Sequence, residues 1–106
     1  MPMIFIETQM FTRRALELID DQSYARLQLA LVREPRKGAI MEGTGGIRKI
    51  RIAANGQGQR GGARVIYYHF VSEFKIAFLL IYAKNEQPDL TAEQKKALKS
   101  VIEHWR

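Results

Sequence analysis

The hydrophobic and polar positions in the first third of the chain predict one strand followed by two helices. A short β-prone run covers residues 3–7, and apolar residues then recur at helical spacing over about 9–19 and 22–33. Thr8 and Asp20 are suited to cap the two helices, and Pro35 ends the second one because it disfavours a helical residue before it. The expected buried stripes are Met10, Ala15, Leu16 and Ile19 in the first helix and Tyr24, Leu27, Ala30 and Leu31 in the second.

The rest of the chain predicts an antiparallel meander of three strands and a closing helix. Strand patterns cover about 47–53, 63–71 and 75–84, with a loop rich in glycine and glutamine at 55–62 and a turn at 72–74. The strand at 75–84 is apolar on both faces, which predicts a central position. Thr91 and Gln94 form a capping-box pattern that opens a helix to about Trp105. The predicted fold is α+β in the order β-α-α-β-β-β-α, with an N-terminal α-hairpin packed on an antiparallel sheet.

Length and composition indicate one small basic domain. The 106 residues suit a single domain over 1–106, and 17 Lys and Arg against 11 Asp and Glu give a formal net charge of +6. The chain has no cysteine, no apolar run long enough to cross a bilayer and no secretory signal, so we expect a cytoplasmic protein without disulfides. The excess positive charge favours a polyanionic or acidic partner.

The positive charge is concentrated in the middle of the chain. Residues 43–72 contain seven of the eight glycines, five Lys or Arg and no Asp or Glu. A two-residue strand period puts Lys49 and Arg51 on one face, and Arg64 would lie opposite them if the hairpin closes in that register. By the same period, Tyr82 and Lys84 share a face. Two cations about 6 Å apart repel by roughly 1–3 kcal/mol, so a phosphate or carboxylate would stabilise such a cluster; a solvated basic face is the alternative.

The remaining polar and aromatic residues show no further catalytic pattern. His69 and His104 are too isolated in the sequence to suggest a metal site, and no Ser-His-Asp arrangement is recognisable. The glycines at 43–46 fit a turn rather than a nucleotide-binding loop. We therefore predict no metal and no other cofactor. Most aromatic side chains are expected in the core, although one or two could stack on bases if exposed.

Three segments together resemble the RelE/ParE toxin superfamily, and within it the HigB-like toxins. They are the glycine-rich turn and basic strand at 43–52, the segment 60–68, and the segment 80–86 that closes the last strand. The resemblance extends over essentially the whole chain, including the leading strand, the α-hairpin and the closing helix. It implies a RelE-like microbial ribonuclease fold and a toxin of a type II toxin–antitoxin system.

The resemblance also implies an activity and the residues for it. Such toxins cleave messenger RNA in the A site of the 70S ribosome through attack by the RNA's own 2′-hydroxyl, without a metal, and so inhibit translation. Arg64 matches the family's phosphate-stabilising arginine, and Lys49 and Arg51 match its paired basic strand positions. Lys84 matches a basic residue after the last strand, and one of the lysines would act as general base. The expected catalytic residues are these four, and the expected substrate-binding residues are Arg48, Arg60, Tyr68, Tyr82 and Asn85.

Two positions depart from the pattern of well-known RelE toxins. Those toxins have an arginine just after the last strand, where this chain has Asn85. They also have a tyrosine that stacks on the substrate base, and Leu90 lies at about that position here. Tyr82 or Tyr68 would then have to provide the stacking ring.

The resemblance implies partners and leaves two alternatives open. The implied partners are messenger and ribosomal RNA in the ribosomal A site and a cognate HigA-like antitoxin, which in complex with the toxin would bind operator DNA; no membrane partner is expected. One alternative is a ParE-like toxin that inhibits DNA gyrase, although the full set of basic residues argues against it. The other is a non-catalytic RNA- or ribosome-binding module, because the same charges serve binding alone.

Overall fold

The computed structural model describes residues 2–53 and 62–105, which form a five-stranded mixed sheet with helices on both faces. Most of the loop predicted at 55–62 lies outside the described residues. None of the helices in the described part has the length and apolar composition needed to cross a bilayer. The elements in chain order are β1 (Ile4–Glu7), α1 (Gln9–Leu18), α2 (Asp21–Arg33), β2 (Ala39–Ile40), β3 (Arg48–Ile52), β4 (Ala63–Phe70), β5 (Lys75–Ala83) and α3 (Ala92–Trp105).

The helices begin at the capping residues that the sequence predicted. The Thr8 hydroxyl accepts a hydrogen bond from the Phe11 N–H at 3.0 Å, and Asp20 caps α2 in the same way. At the start of α3, the Gln94 N–H donates to the Thr91 hydroxyl at 3.1 Å and the Gln94 side chain accepts from the Thr91 N–H at 2.9 Å. This reciprocal pair is a capping box, which satisfies two backbone donors that a helix otherwise leaves open.

The sheet contains the predicted meander and two pairings that the sequence did not reveal. The strand order is β1-β5-β4-β3-β2, so β5 lies inside the sheet as its apolar sequence predicted. However, β1 pairs with β5 in the parallel direction, and the two-residue β2, which was not predicted, pairs antiparallel with the start of β3. The sheet is therefore mixed rather than purely antiparallel. The sequence did not predict the parallel pairing because the partner of so short a strand as β1 depends on the rest of the fold.

Each face of the sheet has its own apolar layer. We call the face covered by α1 and α2 the hairpin face and the face covered by α3 the α3 face. On the hairpin face Phe11 and Phe78 stack with ring centroids 5.0 Å apart. The buried residues of this face are Phe11, Ile19, Leu27, Leu31, Ala63, Val65, Tyr67, Ile76, Phe78 and Ile81, and those of the α3 face are Met41, Ile47, Ile66, Phe70, Ala77, Leu79, Tyr82, Leu90 and Ile102.

The buried stripe of α1 differs from the one predicted. Met10 and Leu16 are 59% and 78% exposed, whereas Phe11 is fully buried. The apolar residues of α1 form two overlapping stripes one position apart, and the stacking of Phe11 on Phe78 selects the stripe that contains Phe11. The predicted stripe of α2 is buried or half-buried throughout.

A β-bulge in β5 decides which side chains reach the α3 face. Phe78 and Leu80 pair with consecutive residues of β4, which leaves Leu79 unpaired in the ladder. Phe78 lies in the hairpin-face core, while both Leu79 and Leu80 belong to the α3-face cluster. The extra residue shifts the two-residue alternation, so Tyr82 faces α3 instead of the α-hairpin.

Candidate active site

The strand register brings a row of polar side chains together on the α3 face. Arg51 of β3 pairs directly with Arg64 of β4, and Arg64 pairs with Tyr82 of β5. Such opposed residues have Cβ atoms about 4.5–5.5 Å apart. Lys49 lies on the same face, two residues before Arg51. We call Lys49, Arg51, Arg64 and Tyr82 the basic row.

Arg64 lies at the centre of the basic row and is almost fully buried. The residue is 7% exposed, and its buried Nη1 has no hydrogen-bond partner among residues 2–53 and 62–105. Burying an unpaired charged donor destabilises a protein, so such a group persists most readily where a ligand supplies the acceptor. A planar guanidinium matches the oxygens of a phosphate or carboxylate. The geometry therefore indicates an anion-binding position at Arg64.

Tyr82 places a second buried polar group beside Arg64. Only 4% of the residue is exposed, and its hydroxyl has no hydrogen-bond partner in the described part of the chain. Burial raises the pKa of Tyr82, the charge of Asp89 raises it further, and the charge of Arg64 opposes both. The phenol is therefore protonated at neutral pH and can donate a hydrogen bond. Because the ring is buried, it cannot stack on an RNA base in this conformation.

Asp89 joins the site although the sequence analysis did not single it out. Its Oδ1 lies 3.3 Å from the Lys49 Nζ and accepts the Leu90 N–H at 2.7 Å. The Leu90 N–H is the main cause that lowers the pKa of Asp89, and Lys49 lowers it further against the opposing effect of burial. The carboxylate is thus ionised at neutral pH and holds the Lys49 ammonium. No local sequence pattern links Asp89 to a lysine 40 positions earlier.

Lys84 lies just beyond the end of the basic row. Its backbone N–H donates to the Gly62 carbonyl at 3.0 Å, which extends the β4–β5 pairing past the last residue of β5. The exposed Lys84 side chain is therefore held near the site by the sheet. Asn85 follows in an exposed turn, which is fastened to α1 by an ion pair between Glu86 and Arg14. Asn85 borders the site but is not part of the sheet.

Arg48 does not join the basic row, although it was predicted to bind substrate. It pairs with Tyr67, whose side chain belongs to the hairpin-face core. Its Nη1 donates to the carbonyl oxygens of Gly38 at 2.7 Å and Arg36 at 3.1 Å. Arg48 thus fastens the segment before β2 to β3 from the other side of the sheet.

Tyr68, another predicted substrate-binding residue, also lies outside the row. Tyr68 is on the α3 face, but it is four residues from Arg64 along β4, a separation of about 13 Å. Its ring packs edge-on against Phe70 with the centroids 4.8 Å apart. Arg60 lies outside the described residues. Of the predicted substrate-binding residues that the structure describes, only Tyr82 lies in the basic row.

A family model and two solved structures match this chain over most of its length. A family model described as RelE toxin of the RelE/RelB toxin–antitoxin system matches residues 3–106. The fold is similar to that of the isolated RelE toxin of E. coli, at 10% identity and a TM-score of 0.59 over 94% of this chain and 99% of that one. It is also similar to a mutant of E. coli RelE in the free state, at 11% identity and a TM-score of 0.59 over 83% of this chain and 90% of that one.

The structural likeness concerns the fold, and the family model concerns membership of a family. At such low identity the structural likeness shows a shared fold, and it confirms the RelE-like architecture that the sequence predicted. The family model covers nearly the whole chain and therefore shows membership, but it does not distinguish a HigB-like subgroup, which stays a prediction. The protein belongs to the RelE toxin family of toxin–antitoxin systems.

Proposed function

We propose that this protein is an endoribonuclease that cleaves messenger RNA on the ribosome and thereby inhibits translation. The observation that carries the proposal is Arg64, whose buried Nη1 has no hydrogen-bond partner among the described residues and which has Arg51 directly opposite. A phosphate would supply the missing acceptor and reduce the repulsion between the two cations. Membership of the RelE toxin family supports the same function.

The proposed reaction uses the RNA as its own nucleophile. The ribose 2′-oxygen attacks the adjacent phosphorus, the bond from phosphorus to the 5′-oxygen of the next nucleotide breaks, and a 2′,3′-cyclic phosphate and a 5′-hydroxyl form. A base takes the proton of the 2′-hydroxyl, and an acid returns a proton to the departing 5′-oxygen. The protein must hold the strand in line and stabilise the extra negative charge of the phosphorane. A row of fixed cations suits both tasks.

The geometry supports separate roles for the four predicted catalytic residues. Arg64 and Arg51 are opposed across two strands, which suits them to bind the non-bridging phosphate oxygens. Lys49, held by Asp89, adds positive charge beside them. We propose that Lys84 acts as the general base that accepts the proton of the 2′-hydroxyl. Lys49 is engaged in the ion pair with Asp89, whereas Lys84 has no carboxylate partner among the described residues.

The substrate-binding assignments change with the geometry. We propose that Tyr82 contributes its protonated hydroxyl next to Arg64 rather than a stacking ring. Tyr68 and Asn85 flank the basic row and are proposed to contact neighbouring nucleotides. Arg48 is left out of the site because its guanidinium is bonded to backbone carbonyls on the hairpin face.

The proposed partners follow from this activity. The substrate is messenger RNA presented in the A site of the 70S ribosome, with ribosomal RNA in contact with the basic surface. The family model describes a system in which the toxin is paired with an antitoxin, and this supports a cognate, HigA-like or RelB-like antitoxin that neutralises the chain. Binding of the complex to operator DNA through the antitoxin is part of the same proposal.

The test is a translating extract that receives either the wild-type protein or Arg64→Ala, followed by mapping of messenger RNA 5′ ends. We expect cuts in phase with codons for the wild type and loss of at least about 100-fold of the cleavage rate for the variant. Expression of the wild type should also inhibit growth unless an antitoxin is co-expressed.

The same extract separates the two alternatives. Intact messenger RNA together with arrested DNA supercoiling would identify a gyrase inhibitor. Intact messenger RNA with slowed translation would identify a binding module without catalysis. Either result would contradict the proposed cleavage.

A further inference from the structure

The turn that follows β5 is closed by a carboxylate that folds back onto the end of the strand. Glu86 lies three residues beyond Ala83, the last residue of β5, and its Oε1 accepts the Ala83 N–H at 3.0 Å. The Glu86 N–H in turn donates to the Ala83 carbonyl at 3.0 Å. Lys84 and Asn85 lie between the two bonded residues. The main chain at Lys84 is thus held by these two bonds and by its own hydrogen bond to the Gly62 carbonyl.

The other oxygen of this carboxylate ties the turn to α1. The Arg14 Nη2 donates to the Glu86 Oε2, and the Arg14 Nη1 lies 3.4 Å from the Glu17 Oε1. The hydrogen bond from Arg14 is the main cause that lowers the pKa of Glu86, and the Ala83 N–H lowers it further, so the carboxylate is ionised at neutral pH. An ion pair as exposed as this one adds little to stability, and its clearer effect is to fix the turn relative to α1.

Helix α1 provides a rigid support for this contact. The Thr8 hydroxyl at its start donates to the Leu79 carbonyl at 2.8 Å, and Phe11 stacks on Phe78 with the ring centroids 5.0 Å apart. Because α1 is bound to β5 at both places, Arg14 connects an exposed turn to the frame of the sheet. The ion pair therefore helps to determine the position of the main chain from which the Lys84 side chain extends.

We propose that Glu86 and Arg14 are positioning residues that hold Lys84 where it can accept the proton of the ribose 2′-hydroxyl. They act through the main chain of the turn and not by contact with the RNA. A catalytic group must be held within about 0.5 Å of its productive position, and a displacement of about 1 Å can slow a reaction about 100-fold. The inference rests on the proposed function, and within it on Lys84 as the general base.

The first experiment measures cleavage of messenger RNA in the translating extract over a range of toxin concentrations. Glu86→Ala and Arg14→Ala should each lower the maximal cleavage rate about tenfold, and the concentration that gives the half-maximal rate should change less than about twofold, because the substrate contacts remain. Glu86→Gln should lose less than Glu86→Ala, since its amide oxygen can still accept the Ala83 N–H. The matched controls, Arg13→Ala on α1 and Glu93→Ala in the first turn of α3, remove the same charges and should cleave like the wild type.

The second experiment repeats Glu86→Ala in a Lys84→Ala background. Lys84→Ala alone should lower the maximal rate at least about 100-fold, as expected for loss of a general base. Adding Glu86→Ala should then lower the remaining rate less than about twofold, because no base is left to misplace. Thermal unfolding of the same proteins detects any structural effect, and the change in melting temperature caused by Glu86→Ala should be equal in the two backgrounds.

Three results would overturn the inference. Wild-type rates in Glu86→Ala and Arg14→Ala would show that the ion pair does not matter for cleavage. An equal loss of rate with and without Lys84 would assign the pair a structural role. A raised half-maximal concentration at an unchanged maximal rate would make these residues contacts to the RNA or the ribosome.

Failure of the proposed function gives a different result. A wild-type protein that leaves messenger RNA intact would overturn the proposed function and this inference with it. If the wild type cleaves and Arg64→Ala does not, any of the three results above overturns the positioning role alone.

Discussion

Among the single residues, Arg64 is the one whose environment is least explained by stability. A core position directly opposite Arg51 and Tyr82 would be more stable with an apolar side chain, because the buried Nη1 has no partner among the described residues. A group that costs stability and remains in place is a candidate for function. This separates Arg64 from Arg48, whose guanidinium is bonded to two carbonyl oxygens and which contributes to the fold.

Replacing Arg64 with methionine should separate activity from stability. Arg64→Met keeps much of the aliphatic volume and removes the charge. We expect cleavage of messenger RNA in a translating extract to fall by about 100- to 1,000-fold. The free energy of unfolding, measured with urea, should stay within about 1 kcal/mol of the wild type or increase, because an unsatisfied buried charge is removed. A loss of more than about 2 kcal/mol would mean that Arg64 is a structural residue instead.

Asp89 should contribute to the acid sensitivity of the protein. The Leu90 N–H and then Lys49 lower the pKa of Asp89 in the folded state relative to the unfolded chain. The carboxylate therefore stabilises the fold above the pKa of the unfolded carboxyl, near 4, and this contribution is lost as the pH falls through the lower folded-state pKa. We expect the unfolding free energy to fall less from about pH 6 to about pH 2 in Asp89→Asn than in the wild type. Parallel pH profiles would contradict this assignment; the effect is small because half of the side chain is exposed.

Among the elements, the close contact between β3 and β4 shapes the site. Gly62 lies just before β4, and a Cβ atom there would be 2.0 Å from the Ile52 carbonyl oxygen. The absence of a side chain allows β4 to start beside β3, and the Gly62 carbonyl in turn accepts the Lys84 N–H. This glycine thus helps to place Arg64 and Lys84 at the same end of the sheet.

Gly62→Ala should be strongly destabilising. The added methyl group meets backbone rather than a movable side chain, so β3 and β4 must separate, at a cost of about 3 kcal/mol or more in unfolding free energy. The matched control is Gly43→Ala, where φ is +76° and, beyond the adjacent residues, no atom of the described part of the chain lies within 4 Å of the added Cβ. That variant should lose only about 1–2 kcal/mol, from backbone strain. Equal losses in the two variants, measured by urea denaturation, would show that the close contact is unimportant.

For the whole molecule, the number of cationic side chains that contact RNA phosphates determines how strongly the affinity for RNA depends on salt. If Lys49, Arg51, Arg64 and Lys84 each contact one phosphate, the affinity for single-stranded RNA should fall roughly 50-fold from about 50 to about 200 mM salt. Lys84→Ala should make the slope of log affinity against log salt shallower by about 0.7. Fluorescence anisotropy with a labelled oligonucleotide measures both. A slope near zero in the wild type would show that these side chains do not meet phosphates.

Much of the architecture could be predicted from local pattern. Caps at Thr8, Asp20 and Thr91 mark helix starts because the hydrogen bonds they make reach only three residues along the chain. The alternation in β3 correctly places Lys49 and Arg51 on one face, and it also places Arg48 on the other. The expectation that Arg48 binds substrate came from the family resemblance alone, and the alternation argues against it.

Two features of the site depended on contacts between distant parts of the chain. The β-bulge at Leu79 places the Tyr82 side chain on the same face as Arg64. The apolar sequence of β5 contains no signal for the position of this bulge. The ion pair between Asp89 and Lys49 likewise joins β3 to the segment between β5 and α3, 40 positions later in the chain. Local hydrogen bonds and side-chain alternation act within a few residues and can be recognised in sequence. Register and burial depend on how the strands and helices of the described part of the chain fill space together, and this packing leaves the buried Arg64 Nη1 without a hydrogen-bond partner among those residues.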